Sequence, residues 1–562
     1  MISDFISELK RRRVIRVAIV YLIVGWGMVQ FADAVFEPLQ LPEWSVTLVI
    51  FLVFLGFPIA VLLAWAFDIT DHGLERTRSV STGANAPERP EIAAAPAVEV
   101  HPNSVAALPF MNLSGDPSQE YFSDGVTEEL INTLSRLRVV RVAARTSSFA
   151  FKNTQLDARE IGRKLGVSSL IEGSVRLMEN RLRLSVQLVS TSDGTAIWSE
   201  SYERDMHDVF AVQREIAQDI ANRLGATPGM SIPAPSSAET HDPESYKLYL
   251  KGRFFWNKRT PDDLRRAIDH FERALELDPR FALAYAGLAD AYAILLDYGL
   301  LPTRDGLDRA RRAAEEALRL DANLGEAYTS LALARQLDWQ WRAAEESFIK
   351  SIERLPDYPV ARQRYALFLA WTGRPDQALA QIHEAQRIDP LSAVISATAG
   401  WVSYYARRYD RAEEQLTRAL EMDPHLPTAR VVRGLVALQQ GRPADAVMEH
   451  ERALEASRGS APMRALLAVS QARAGDADAA RTQLRALQRE SATGFVSPYY
   501  IALAHFGLGE TDAALDLLEQ ARDQRAAQVI YLRAEPLLDP LRDHPRFRRV
   551  LEETGLCKYQ GI

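Results

Sequence analysis

Apolar and polar positions follow three different patterns along the chain. Near the amino terminus, two uncharged apolar runs cover 17–32 and 46–67. From 104 to 224, short apolar stretches alternate with amphipathic stretches, and in 181–188 apolar and polar residues alternate strictly. From 244 to 526 the apolar positions keep a helical spacing. The patterns predict a multidomain, mainly α-helical chain with one small mixed α/β domain.

The two apolar runs predict a two-helix transmembrane hairpin within 1–70. The second run has 22 residues, and about 20 are needed to cross a bilayer as a helix. A cleaved signal peptide is the alternative for the first run. Basic residues precede the first run and are absent from the turn between the runs, which places the amino terminus inside. They are Lys10, Arg11, Arg12, Arg13 and Arg16.

This topology predicts a bacterial inner-membrane protein with two spans, the lipid bilayer as a partner, and soluble domains in the cytoplasm. Two segments rich in Ala, Pro and small polar residues, 71–102 and 227–243, are predicted linkers. Between them, 103–226 is predicted to form the α/β domain. Its strictly alternating strand should be buried on one side only. The inward side carries Leu182, Leu184, Val186 and Leu188.

The loop 112–125 joins a predicted strand to a predicted helix over 126–137, a place where many proteins hold phosphate. No Lys or Arg occurs between 101 and 135, whereas several carboxylates do. The sequence therefore favours a structural role, with Asp124 as the helix N-cap and Glu128 and Glu129 in the first turn. A divalent cation is the alternative, but the carboxylates lack the dense alternation of a calcium loop.

The carboxy-terminal half repeats. Alanine recurs in steps of 34 residues, at 310, 344, 378, 412, 446, 480 and 514. Glycine keeps the same register at 373, 441, 475 and 509, with Arg407 filling the gap. This period is typical of tetratricopeptide repeats. We expect an α-α superhelix of about eight units over 244–526, followed by a capping segment over 527–562.

The tetratricopeptide frame implies which first-helix positions line the concave face. We interpret them as a groove for a peptide or partner helix. They are Trp371, Trp401, Tyr404, Tyr405, Leu435 and Gln439. The alternative is that these aromatic side chains, which have helical spacing, are packed as core.

The α/β block also resembles a known family. The stretches "SVAALPFMNLSGDPSQEYFSDGVTEELINTL" and "EIGRKLGVSSLIEGSVR", with the ending "RAEPLLDPLRDHPRF", are similar to bacterial membrane-tethered repeat proteins with a TolB-like amino-terminal (FlgO-like) domain. Some relatives carry a nucleotide cyclase or a winged-helix DNA-binding domain where this chain has a short leader. The resemblance implies the sensing or scaffolding half of such systems, and it provides no catalytic residue.

Composition narrows the function further. The net charge of -8 argues against a general nucleic-acid binder. The single cysteine, Cys557, allows no internal disulfide and suits a reducing compartment. No GxSxG, Walker-type or HExxH motif occurs, and the ten histidines have no metal-binding spacing. We therefore expect a protein that is not an enzyme and needs no cofactor or metal.

Two function classes remain open. The leading hypothesis is a membrane-anchored scaffold for protein–protein interaction that binds a peptide or partner helix in the repeat groove. The alternative is a regulatory sensor, in which the α/β domain binds a small ligand and relays its state to a separate effector.

Overall fold

A computed structural model describes most of the chain after residue 99. The described ranges are 100–136, 140–178, 181–225, 239–301 and 303–561, with 67–70, 73–76 and the single positions 26, 30, 51, 53 and 57. The chain divides into two units, Met1–Ala95 and Pro96–Ile562. In the first unit, strands β1 (Phe67–Thr70) and β2 (Gly73–Arg76) form an antiparallel hairpin.

The predicted localisation in the bacterial inner membrane is wrong. Within the described residues, no helix has the length and apolar character needed to cross a membrane. The two runs that predicted the hairpin, 17–32 and 46–67, lie almost entirely outside the described residues. The basic residues Lys10, Arg11, Arg12, Arg13 and Arg16 also lie outside them.

The α/β domain is built on a mixed sheet with strand order β5-β3-β6-β7-β8, in which β4 also pairs with β6. The strands are β3 (His101–Ala107), β4 (Met111–Asn112), β5 (Arg141–Val142), β6 (Val167–Met178), β7 (Arg181–Ser190) and β8 (Ala196–Asp205). The helices are α1 (Glu120–Arg136), α2 (Arg145–Phe149), α3 (Ala158–Leu165) and α4 (Val209–Arg223). β3 runs parallel to β5 and β6, whereas β6, β7 and β8 are antiparallel. The predicted small mixed domain is confirmed.

Strand β7 confirms the alternating pattern. Leu182, Leu184, Val186 and Leu188 are each at most 1% exposed. On the opposite side, Arg181 and Arg183 are exposed. The inward leucines share a core with apolar residues of α1 and α4, so these helices cover one side of the sheet.

Helix α1 begins at Glu120, earlier than predicted, and the predicted roles of three acidic residues are therefore wrong. Asp124 lies inside the helix and forms an ion pair with Lys152 at 2.7 Å. Glu128 and Glu129 lie in the middle of α1 and are buried. The residue that acts as a cap here is Asp116, whose side chain accepts from the backbone N–H of Ser118 before a short 3-10 turn. Glu128 and Glu129 contact the first repeat, whereas Asp124 pairs within the α/β domain.

The carboxy-terminal half is a helical repeat array, as predicted. In the described part of the chain, helices α5 to α20 form eight consecutive pairs. The pairs are α5 (Pro243–Lys258) with α6 (Pro261–Leu277), α7 (Ala282–Asp297) with α8 (Thr303–Leu320), α9 (Gly325–Leu337) with α10 (Trp341–Arg354), α11 (Pro359–Trp371) with α12 (Pro375–Ile388), α13 (Ala393–Tyr405) with α14 (Tyr409–Met422), α15 (Pro427–Gln439) with α16 (Pro443–Ala456), α17 (Ala461–Arg473) with α18 (Ala477–Thr493), and α19 (Pro498–Gly507) with α20 (Thr511–Asp523).

The repeating alanines lie where the two helices of a pair approach closely. All seven, from Ala310 to Ala514, are 0% exposed. Each pair also has one residue with left-handed backbone conformation at the corner between its helices. These corner residues are Arg259, Gly299, Trp339, Gly373, Arg407, Gly441, Gly475 and Gly509. The left-handed conformation ends the first helix, and glycine adopts it with the least strain.

Three pairs share an arginine contact that the sequence pattern did not reveal. An arginine on the first helix donates through Nη1 to a side-chain oxygen on the second helix, 19 positions later. The contacts are Arg362 to Gln381 at 3.0 Å, Arg430 to Glu449 at 3.1 Å and Arg464 to Gln483 at 3.0 Å. The contact fixes one helix of the pair against the other and complements the close packing at the alanines.

The chain after α20 forms a C-terminal segment, defined as residues 527–561. It contains 3-10 helices at Ala527–Tyr531 and Pro536–Leu541 and helix α21 (Pro545–Glu553). Its apolar side chains are deeply buried, with Val529, Leu532, Phe547 and Val550 at 0% exposure. The segment is therefore integrated with the repeats and is not a solvated tail.

We predict that Ala446→Leu lowers the free energy of unfolding by about 1 to 3 kcal/mol, because three added carbons overpack the contact between α15 and α16. Ala444→Leu, at an exposed position of the same helix, is the control and should change stability by less than about 0.5 kcal/mol. Chemical denaturation of the two full-length variants measures the difference. Equal stability of both variants would refute the assigned role of the alanine column.

Candidate functional site

The predicted groove residues lie on the first helices of three consecutive pairs. Trp371 is the last residue of α11, Trp401, Tyr404 and Tyr405 are on α13, and Leu435 and Gln439 are on α15. The structure brings the four aromatic residues together. The ring of Tyr405 lies 6.5 Å from that of Trp371 and stacks on that of Trp401 at 5.4 Å. Leu435 is buried, and Gln439 is half-buried.

The C-terminal segment lies against this aromatic cluster. The Tyr531 ring is 4.9 Å from the Trp371 ring, measured between centroids. The Tyr404 hydroxyl donates to Glu535 Oε1 at 2.5 Å. At the edge, Arg407 forms an ion pair with Asp539 at 2.8 Å. The side of the repeats that these first-helix residues form is thus covered over α11 and α13 by a part of the same chain.

The segment continues along earlier pairs. The Tyr531 hydroxyl donates to Asp297 Oδ1 at the end of α7, at 3.3 Å. The Trp341 indole N–H donates to the Thr554 carbonyl at 2.9 Å, and the Tyr559 hydroxyl donates to Glu345. The segment also contacts the last pair, where Arg546 binds Glu519 at 2.8 Å. The predicted cap therefore does more than cover the end of the array.

Glu535 is a carboxylate inside this otherwise apolar contact. It is 4% exposed, and burial raises its pKa above the ordinary value, although hydrogen bonds from Tyr404 and the Leu537 N–H act in the opposite direction. Burial likewise holds the pKa values of Tyr404 and Tyr531 well above the usual range. The tyrosine hydroxyls therefore stay protonated and act as donors.

A second polar site joins the α/β domain to the repeats. The Glu128 carboxylate on α1 accepts hydrogen bonds from Arg253 and, at 2.9 Å, from Asn257, both on α5. It also forms an ion pair with Arg145 at 2.8 Å. The neighbouring Glu129 accepts from the Tyr249 hydroxyl at 2.8 Å. Arg253 and Arg145 hold the pKa of Glu128 below its ordinary value against the opposing effect of burial. A charged, fully partnered carboxylate thus anchors α1 on the first repeat.

The α/β domain also contacts the corner between α12 and α13. Asp389 is 2% exposed and accepts from the backbone N–H of Ser147 at 3.1 Å and from its hydroxyl at 2.5 Å. The Ser147 hydroxyl in turn accepts from the Leu391 N–H at 3.0 Å. Burial raises the pKa of Asp389 to about 6. The sequence offered no signal for this pair, because its members are 242 positions apart.

Eight helix pairs with a 34-residue alanine register are typical of tetratricopeptide repeats. A family model described as Tetratricopeptide repeat matches residues 398–462, which covers α14, α15 and α16 and parts of their neighbours. Such repeats generally mediate protein–protein interactions and are typically not enzymatic, because their stacked helices present an extended binding surface.

Curated relatives share part of this chain. It is 36% identical over 294 residues to "Putative adenylate cyclase 3" of Rhizobium meliloti, a match that covers 50% of this chain and 49% of that protein. It is 25% identical over 218 residues to the transcriptional regulator HilA of Salmonella typhimurium, covering 38% of this chain and 39% of that protein. The chain thus spans about half the length, or less, of these relatives.

Solved repeat structures are also similar. YrrB, described as a TPR protein with an unusual peptide-binding site, is 24% identical, and the match covers 33% of this chain and 89% of YrrB with a TM-score of 0.23. Within the described residues, no group of three or more His, Cys, Asp or Glu is arranged to hold a metal ion. The expectations that the chain lacks catalytic activity and does not bind nucleic acid stay predictions.

We predict that Asp389→Asn flattens the pH dependence of stability between about pH 4 and pH 7. The carboxyl is easier to protonate in the folded chain than in the unfolded one, so it contributes stability at low pH that is lost as the pH rises through about 6. Relative to the variant, the wild type should lose up to about 3 kcal/mol over this range. Urea unfolding at several pH values measures it, with the exposed Asp478→Asn as control. Parallel profiles for wild type and Asp389→Asn would contradict the assignment.

Proposed function

We propose that this chain is a protein–protein interaction scaffold whose concave repeat face binds a peptide or partner helix. One observation carries the proposal: the aromatic cluster of α11 and α13 already holds a segment from outside the repeats, residues 527–541. The contact combines a ring pair, Trp371 with Tyr531, and a hydroxyl–carboxylate pair, Tyr404 with Glu535. A partner segment with the same chemistry would compete with the C-terminal segment for this face.

The side chains that the C-terminal segment buries indicate which residues a competing partner needs. Leu532, Leu537 and Leu538 of the segment are each at most 3% exposed, and burying one such side chain contributes about 1.5 to 3 kcal/mol. A partner displaces the segment only if it buries a comparable apolar surface. We therefore expect an amphipathic partner with several leucines, one aromatic ring and a carboxylate.

The relatives support a binding role rather than a particular activity. One is named as an adenylate cyclase and another as a transcriptional regulator, and each shares no more than about half its length with this chain. A shared part that accompanies two different activities is well suited to recruit partners. We further propose that the α/β domain is of the TolB-like (FlgO-like) kind.

A regulatory sensor is the second candidate, and the junction at Glu128 favours it. Because buried polar contacts join α1 to α5, a ligand-induced change in the α/β domain would reach the repeats through Arg253. If the sensor candidate is right, Arg253→Gln should change the affinity of the concave face for a partner segment. In a passive scaffold that affinity stays the same.

The proposal is tested with a fluorescently labelled peptide of sequence 527–541 added to the full chain. Tyr531→Ala loosens the chain's own segment and leaves the face intact, so peptide affinity should rise about tenfold. Trp371→Ala combined with Tyr531→Ala removes a face residue while the chain's own segment is already loosened, and affinity should fall by about 1 to 3 kcal/mol relative to Tyr531→Ala alone.

The control is Phe495→Ala, which truncates a ring that is 42% exposed on the repeats and should leave peptide affinity unchanged. The core interpretation predicts a different pattern. If Trp371→Ala and Tyr531→Ala each cost about 3 kcal/mol or more of stability and neither changes peptide affinity, the rings are permanent core and the proposal fails.

A further inference from the structure

Arg259 lies at the left-handed corner between α5 and α6, with a φ of 59°. Glycine adopts this conformation with the least strain. At four other corners, spaced by the same 34-residue period as the alanines, the residue is glycine. Two other arginines with positive φ use their guanidinium groups: Arg407 binds Asp539 and Arg525 binds Asp338, each at 2.8 Å. At Arg407 and Arg525 the side-chain contact thus offsets the cost of the backbone conformation.

The guanidinium of Arg259 stacks on an indole ring. It lies 3.6 Å from the centroid of the Trp256 ring, and the guanidinium of Arg253 lies 4.4 Å from the same centroid. Arg253 has carboxylate partners in Glu128 and, at 3.8 Å, Asp290. In the part of the chain that the structure describes, the Arg259 guanidinium has no carboxylate or carbonyl partner.

Arg259 is half-buried, and its surroundings contain further donors. Burial lowers the pKa of Arg259 to about 10, and the nearby Arg364 acts in the same direction, although Tyr298 opposes it. The Trp256 indole N–H is buried, and among the described residues no acceptor reaches it. Burial raises the pKa of Tyr358, and the nearby charge of Asp290 acts in the same direction. The Tyr358 hydroxyl therefore stays protonated and can donate.

Several neighbouring charges are paired. Arg364 pairs with Asp297 at 2.7 Å, Arg136 with Glu326 at 3.5 Å, and Asp290 accepts from Ser330 and faces Arg253. Among the described residues, Arg259 is the arginine of this group without a direct carboxylate partner, and Asp290 acts on it only at longer range. A stacked, half-buried guanidinium without a direct partner is well suited to donate to a pair of oxygen atoms of an anion.

We propose that the surface around Arg259 binds a small oxyanion, the phosphate or carboxylate group of a small molecule. The C-terminal segment reaches Asp297, the ion-pair partner of Arg364, through Tyr531. The site lies between α5, α7 and α11, next to the contact of α5 with the α/β domain. It is independent of whether the concave face also binds a protein partner.

The test uses the full chain, with inorganic phosphate and acetate as probes and sodium chloride added to keep the ionic strength constant. Isothermal titration calorimetry and the midpoint of thermal unfolding are measured for each probe. We expect saturable binding of at least one probe, with a raised midpoint, and at least tenfold weaker binding for Arg259→Gln. Phosphate binding without acetate binding would assign a phosphorylated ligand, and the reverse would assign a carboxylate.

Two variants make the result specific to the site. Trp256→Phe keeps an aromatic ring beside the guanidinium and removes the N–H, and it should weaken binding several-fold. Arg265→Gln removes an exposed arginine of α6 that pairs with Asp262, and it should leave binding unchanged. Equal binding by wild type and Arg259→Gln, or no saturable binding of either probe by the wild type, would overturn the proposal.

Discussion

The repeat array has to bury the apolar and aromatic inner sides of its first helices, and this constraint determines the rest of the structure. A helix pair cannot bury its apolar side alone, so each pair stacks on its neighbours. Close approach of the two helices requires a small residue, and the alanines from 310 to 514 provide it at 0% exposure. The inner surface at Trp371 and Tyr404 is covered by the C-terminal segment of the same chain.

The polar contacts on this inner surface fix the position of the segment. Tyr404 with Glu535 and Arg407 with Asp539 connect residues about 130 positions apart. Apolar burial is not directional, whereas these pairs specify which residue of the segment faces which helix. The same division of roles holds at the α/β domain, where Glu128 and Asp389 receive donors within a largely apolar contact. Both contacts join parts of the chain that are distant in sequence.

The sequence predicted features that repeat or alternate locally. The 34-residue register of alanine and the alternation in 181–188 both correspond to buried positions, because a period reports directly which side of an element faces the core. Local reasoning was misled at Asp124, whose N-cap pattern was typical although α1 starts at Glu120. The acidic residues of α1 form ion pairs with Lys152, Arg145 and Arg253. No local sequence pattern reveals such distant partners.

The candidate site was predicted only in part. The 34-residue repeat frame predicted Trp371 and Tyr405 on the first helices of adjacent pairs, and the centroids of their rings are 6.5 Å apart. It did not identify Tyr531 and Glu535, because the stretch "YLRAEPLLDPL" was interpreted as an end cap. Its density of leucines is a signal that it packs against a large apolar surface. The sequence marked Arg259 only weakly. Arg407 showed that an arginine can replace glycine at the corner between two paired helices.

Native-state hydrogen exchange of the full chain, followed at low concentrations of denaturant, tests the central claim most directly. The C-terminal segment covers the inner side of the first helices, and we expect it to leave that side while the repeats stay folded. Amides of 529–538 should then exchange through an opening with a lower free energy and a smaller denaturant dependence than amides in the middle of α13 and α14. If both sets exchange only with global unfolding, the segment is inseparable from the repeat core and the concave face is not a binding surface.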